Sequence, residues 1–235
     1  MKYLYTAYVW IIGGLYFFLI SSIAILLIYL ISAKKTYPIY NFLLKGLFKI
    51  MFVSVKVEYA EEIEKNTNYL FMSNHVSLLD APLMFVYIPQ FVNALEAQEH
   101  FSWPIYGKLI KLWGNIPVNR KNAKSSYTSM LKAKDVLKDR NSVIIFPEGG
   151  RTVNGKMKRF KKLPFHLAKD AQVPIVPIGM SGVFSLNHKG SILVRPGKIK
   201  IKFGEIYSAE KVQNYSDDEL MEKVKNEIDS LIEFL

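Results

Sequence analysis

Between Lys2 and Lys34 the chain runs for 31 residues without a charged side chain, through Trp10, Ile11, Ile12, Tyr16, Phe17, Phe18 and on from Ile23 to Ile31. As one helix this segment would be roughly 46 Å long, more than the roughly 30 Å hydrocarbon core of a bilayer. The apolar region of a signal peptide is only about 7–15 residues, so the segment reads as a membrane anchor. Gly13-Gly14 and Ser21-Ser22 are places where it can tilt, kink or fold back, which leaves crossing and re-entrant insertion both open. Lys34 and Lys35 follow, then a second apolar stretch from Ile39 to Val53. Only Lys45 and Lys49 interrupt it, one helical turn apart, the pattern of an interfacial amphipathic helix. Five lysines (34, 35, 45, 49 and 56) lie on the carboxyl side of the run against Lys2 alone before it. The positive-inside rule then places the main domain on the cytoplasmic side of the cytoplasmic membrane. Residues 1–52 are read as the anchor and residues 53–235 as the domain it carries.

Lysine and arginine outnumber acids 31 to 20, and no acid precedes Glu58. Because residues 205–235 are acidic, the segment 34–204 holds 27 bases against 11 acids. Such a surface implies an anionic partner: a membrane, a phosphorylated substrate or a nucleic acid. The absence of cysteine excludes disulfides, thiolate catalysis and cysteine-ligated metals. Val53 to Tyr59 alternates apolar and polar residues as a half-buried strand does. Short apolar runs at Tyr69–Met72, Val143–Phe146 and Val173–Ile178 predict further strands, with a helical pattern from about Asn122 to Arg140 between the first two. Ile199, Ile201 and Phe203 alternate with Lys198, Lys200 and Lys202, giving a late strand with a basic face. Ser216 and Glu219 form a capping box before a closing amphipathic helix. Alternation of strands and helices predicts an α/β fold with a mixed, largely parallel sheet flanked by helices, preceded by a membrane-embedded helical pair.

His75 lies just past a predicted strand, where α/β sheets commonly carry ligand sites. Asp80 is five residues on, about 140° away on a regular helix, so the two side chains meet only if a turn intervenes. Asp80 then holds one imidazole nitrogen and leaves the other as a general base. Equally, Asp80-Ala81-Pro82 reads as the plain start of a helix. His100, His166 and His188 read as structural or exposed. The cluster Phe146-Pro147-Glu148-Gly149-Gly150-Arg151-Thr152 also follows a strand. Its glycines allow close backbone approach and Arg151 can grip a phosphate bidentately, although such turns are common in loops. Lys156, Lys158, Arg159, Lys161 and Lys162 make a basic patch suited to lipid headgroups or nucleic acid, or simply a solvated face.

Taken in order, Asn74-His75-(four residues)-Asp80, Gly114 to Arg120, Phe146 to Arg151 and Val173-Pro174-Ile175-Val176-Pro177 make the chain similar to the glycerolipid acyltransferases, the 1-acylglycerol-3-phosphate acyltransferases. The resemblance spans about residues 50–210. It departs from the family at Gly150, where threonine is usual, and at Leu163, where a glycine usually follows the lysine pair. It implies acyl transfer from a thioester to the free hydroxyl of 1-acylglycerol 3-phosphate, giving phosphatidic acid. By this resemblance His75 is the base and Asp80 its orienting partner, while Asn74, Arg120, Glu148, Gly149, Arg151 and Lys161 bind or shape the acceptor. It also implies no metal and no cofactor. The partners are then a lysolipid acceptor, acyl-CoA or acyl carrier protein as donor, and the phospholipid membrane, with no role for nucleic acid. Another lysophospholipid, an amino-acid lysolipid as acceptor, or a non-catalytic lipid-binding module are the alternative readings.

Overall fold

The computed structural model describes residues 1–120 and 122–233. The uncharged run forms one 30-residue helix, Lys2–Ile31, apolar and long enough to cross a membrane. It comprises α1 (Lys2–Tyr8), a π-helical turn (Val9–Gly13) and α2 (Gly14–Ile31). Ser32, at φ 95°, reverses the chain into α3 (Ala33–Ile50). The pair is an antiparallel hairpin: the Tyr5 hydroxyl donates to the Met51 carbonyl, Gly13 abuts Leu47, and the Tyr16 hydroxyl donates to the Leu43 carbonyl at 2.8 Å. The hairpin lies lengthwise against the rest of the protein. Thr6 bonds the backbone of Val194, Trp10 Nε1 donates to the Ile192 carbonyl, and the Lys108 ammonium covers the Tyr29 ring. On the far side Ile11, Leu15, Phe18, Leu19, Leu26 and Leu30 remain exposed, an apolar strip far larger than isolated surface residues produce.

The chain continues through β1 (Val53–Tyr59), β2 (Leu70–Ser73), α4 (Asp80–Tyr87), β3 (Val92–Ala97), a 3-10 turn (Gln98–Ser102), α5 (Tyr106–Trp113) and β4 (Ile116–Val118). It is completed by α6 (Ala123–Lys138), β5 (Ser142–Ile145), α7 (Leu163–Ala171), β6 (Ile175–Ser181), α8 (Val183–Leu186), β7 (Gly197–Phe203), α9 (Ala209–Asn214) and α10 (Asp217–Leu231). Among the described residues seven strands form one sheet in the order β1-β7-β6-β2-β5-β3-β4. β2 to β6 run parallel to one another, and β7 pairs antiparallel with β6 and parallel with β1. The sheet is thus mixed and largely parallel. Central strands covered on both faces need apolar side chains at successive positions, and β2 and β5 are buried throughout. The capping box at Ser216 and Glu219 starts α10.

Alternation along β2 divides the interior. Leu70 and Met72 face a core with Val143, Leu137, Phe165, Leu220 and Val224, under α6, α7 and α10. Phe71 faces the other core, with Val176, Leu83, Leu44, Phe48 and Ile20. The hairpin therefore supplies one of the two helical layers covering the sheet, and residues 1–52 share a core with residues 53–235. Helix α3 also ties down α4. Asn41 Nδ2 donates to the carbonyls of Phe85 (3.1 Å) and Val86 (2.8 Å), and the Tyr37 hydroxyl to that of Ile88 (2.7 Å). These bonds satisfy carbonyls that the end of α4 leaves unpaired. Replacing Asn41 with Ala is expected to destabilise the protein by about 1–3 kcal/mol. At this chain length that amounts to roughly 2–4 °C per kcal/mol in Tm, measurable by thermal unfolding in detergent.

Candidate active site

The parallel strands deliver their carboxyl ends to one edge of the sheet, and the chemistry collects there. β2 ends at Ser73, and the segment Asn74–Leu79 turns tightly before α4 begins at Asp80. That turn decides the ambiguity of the His75–Asp80 spacing. His75 Nδ1 lies 2.7 Å from Asp80 Oδ2, which also accepts the backbone N–H groups of Val76 (2.6 Å) and Ser77 (2.8 Å). Asp80 is thus both the start of α4 and the partner of His75. It is fully buried, and its Oδ1 has no partner among the described residues. A carboxylate accepts at Nδ1, so Nε2 is the ring nitrogen left for a substrate.

The loop after β5 fixes the histidine from the other side. The Phe146 ring stacks on the imidazole, centroids 4.2 Å apart at 14°. Thr152 N–H donates to the His75 carbonyl at 2.9 Å, and His75 N–H donates to Glu148 Oε1 at 2.7 Å. Glu148 Oε2 accepts from Lys158 N–H at 2.8 Å, so both its oxygens serve backbone groups. Burial pushes the Glu148 carboxyl above its usual range, and the N–H groups of Lys158 and His75 pull it back down. Gly149, at φ 70°, adopts a conformation that favours glycine, with its N–H on the Phe146 carbonyl.

A cavity of about 500 Å³ opens in front of His75. Arg120, which follows β4, and Arg151, from the loop after β5, border it, and the two cations repel each other. The protein around Arg120 lowers its pKa by desolvation, while Glu99 and Glu96 raise it. The guanidinium stays charged at neutral pH, as an arginine in a protein does. From this polar end the cavity reaches Val9, Gly13 and Phe17 on the apolar helix, at the π-helical turn. Such turns often occur at functional positions.

The structure brings together His75, Asp80, Arg120 and Arg151. Asn74, Glu148, Gly149 and Lys161 do not border the cavity. The Asn74 amide is spent on β6, its Nδ2 donating to the Met180 carbonyl (3.0 Å) and its Oδ1 accepting from Met180 N–H (2.8 Å). Lys161 donates its backbone N–H to the Pro147 carbonyl, and its side chain passes over Gly149. These four hold the loops after β2 and β5 in place. Phe146, which the sequence gives no separate role, and His100, expected to be structural or exposed, also border the cavity. The i, i+4 spacing of Glu96 and His100 was the available signal for the latter.

Residues 54–181 match the family model described as Acyltransferase. The chain belongs to the acyltransferase family. Among proteins similar to this acyltransferase-family chain, a 1-acyl-sn-glycerol-3-phosphate acyltransferase of Cocos nucifera is 31% identical over 66% of the chain and 50% of its own length. The corresponding alpha protein of Mus musculus is 32% identical over 64% of the chain and 53% of its own length. The chain thus spans about half the length of these curated relatives. The crystal structure of the 1-acyl-sn-glycerophosphate acyltransferase PlsC of Thermotoga maritima superposes with a TM-score of 0.85 at 25% identity, covering 97% of this chain and 93% of that one.

The bonding of Glu148 yields a direct test. Glutamine in its place would set an amide N–H₂ against one of the two backbone N–H donors, so Glu148→Gln should loosen the His75 turn. The expected outcome is a loss of about tenfold or more in kcat with the acceptor KM little changed, read from steady-state kinetics.

Proposed function

We propose that this protein transfers a fatty acyl group from a thioester donor, acyl-CoA or acyl carrier protein, to the free hydroxyl of 1-acylglycerol 3-phosphate. The observation that carries the reading is His75, held by the buried Asp80, on a cavity that two arginines and the apolar helix also line. His75 Nε2 takes the proton of the acceptor hydroxyl as its oxygen attacks the thioester carbonyl. Asp80 fixes the ring and stabilises the imidazolium that forms. The tetrahedral intermediate collapses to the new ester and expels the thiolate, which recovers the proton from His75. The products are phosphatidic acid and a free thiol, with no acyl-enzyme needed. Arg120 and Arg151 bind the acceptor's phosphate, and this anion relieves their mutual repulsion.

The apolar face of the hairpin is read as lipid-facing, which lets the lysolipid enter from the bilayer without exposing its chain to water. Lys34, Lys35, Lys45, Lys49 and Lys56 suit the anionic cytoplasmic leaflet, so the catalytic domain is assigned to the cytoplasmic face of the cytoplasmic membrane. The test is acyl transfer in detergent micelles with labelled donor and a panel of lysolipids. His75→Ala is expected to lower kcat by about 10²–10⁴-fold while leaving folding and micelle binding intact. Substantial residual turnover in that variant would remove His75 as the base. Asp80→Asn should also lower kcat, because an amide can hold the ring with the wrong nitrogen protonated. Its Tm should fall too, since the amide cannot accept all three donors as well as a carboxylate does.

A further inference from the structure

The cavity holds a second histidine fixed by a buried carboxylate. Glu96, in β3, is 6% exposed and satisfied by three donors from neighbouring elements. His100 Nδ1 meets its Oε2 at 3.0 Å, while the Tyr106 hydroxyl (2.7 Å) and Asn115 Nδ2 (3.3 Å) donate to Oε1. The His100 ring also packs against Trp103 and Tyr106, with centroids 4.6 Å and 6.3 Å away. A ring needed only to fill space would not require a buried carboxylate, which is costly to take out of water. With Nδ1 engaged, Nε2 is the nitrogen available to a ligand. The couple borders the same cavity as His75, Arg120 and Arg151, and Glu96 and Glu99 both act electrostatically on Arg120.

We propose that His100, held by Glu96, donates a third hydrogen bond to the acceptor's phosphate and so selects a phosphomonoester headgroup over a phosphodiester. This rests on the acyl-transfer reading above. A phosphomonoester presents three terminal oxygens and close to two negative charges at neutral pH. A phosphodiester presents two such oxygens and one charge. Arg120 and Arg151 can each cover one terminal oxygen, and the third is the one a diester lacks. Both ring nitrogens then donate, Nδ1 to Glu96 and Nε2 to the phosphate. His100 is therefore a specificity determinant, separate from the base that activates the hydroxyl.

The experiment compares the full-length wild type, His100→Ala, His100→Gln and Lys189→Ala in micelles. Two acceptors of equal chain length are used, 1-acylglycerol 3-phosphate and the diester 1-acylglycerophosphoglycerol. kcat and KM are measured, with an inhibition constant replacing KM for a lysolipid that is not acylated. His100→Ala should raise KM for the monoester about tenfold, the loss of one charged hydrogen bond, with kcat within about threefold and the diester constant within about twofold. Added imidazole should restore part of the monoester affinity, and His100→Gln, which keeps a side-chain N–H, should retain most of it. A structural role for His100 would instead move both acceptors together and show no rescue by imidazole, which overturns the proposal. Loss of discrimination in Lys189→Ala but not in His100→Ala also overturns it, by giving the third contact to the other cation on the cavity wall. If the wild type acylates neither lysolipid, the acyl-transfer reading falls and this proposal with it. Transfer with unchanged discrimination in His100→Ala removes the proposal alone.

Discussion

One buried carboxylate oxygen organises the reactive end of this molecule. Asp80 Oδ2 gathers the imidazole of His75 and the backbone N–H groups of Val76 and Ser77. The tight turn after β2, the start of α4 and the direction of the His75 ring are thereby consequences of one buried carboxylate. Burying a carboxylate is tolerable only where donors converge on it, and this one has three. The loop after β5 closes the arrangement from the opposite side, with Phe146 on the ring and Glu148 and Thr152 on the His75 backbone. The imidazole is thus held from both sides by the protein's own groups.

The same economy governs the larger architecture. β2 sends Phe71 into the core covered by the N-terminal hairpin and Leu70 and Met72 into the core covered by α6, α7 and α10. The hairpin is therefore a structural layer of the fold as well as its apolar surface. Asn41 and Tyr37 bond the far end of the helix that Asp80 begins, linking the hairpin to the His75 turn through α4. The cavity joins the two parts, polar where the strands end and apolar where it reaches the π-helical turn.

Much of this was legible in the chain. Period-two alternation located β1 and β7, apolar runs located β2, β5 and β6 to within a few residues, and Ser216 with Glu219 located the start of α10. β3 was not found, because Val92-Asn93-Ala94-Leu95-Glu96-Ala97 carries two polar residues in a strand that is buried throughout. Glu96 is satisfied by Tyr106, Asn115 and His100, and Asn93 Nδ2 donates to the Trp113 carbonyl, partners that lie outside the strand. The motif residues were visible, but their division of labour was not. Asn74 and Glu148 read as candidate substrate contacts, and the structure has them bonding backbone groups of β6 and of the loops after β2 and β5.

The sequence by itself determined that the chain begins with a long apolar helix, continues as alternating strands and helices, and carries His75, Asp80, Arg120 and Arg151 after apolar segments. Local patterns suffice for these features because hydrophobic period and turn chemistry act over a few residues. Only the tertiary structure decided that Asp80 reaches His75, that the two arginines share one cavity, that His100 joins them through Glu96, and that the apolar helix folds back onto the sheet. Each of these brings together residues separated by a turn or by many positions. Such contacts are set by how the strands order themselves in the sheet and by which donors remain to satisfy each buried charge.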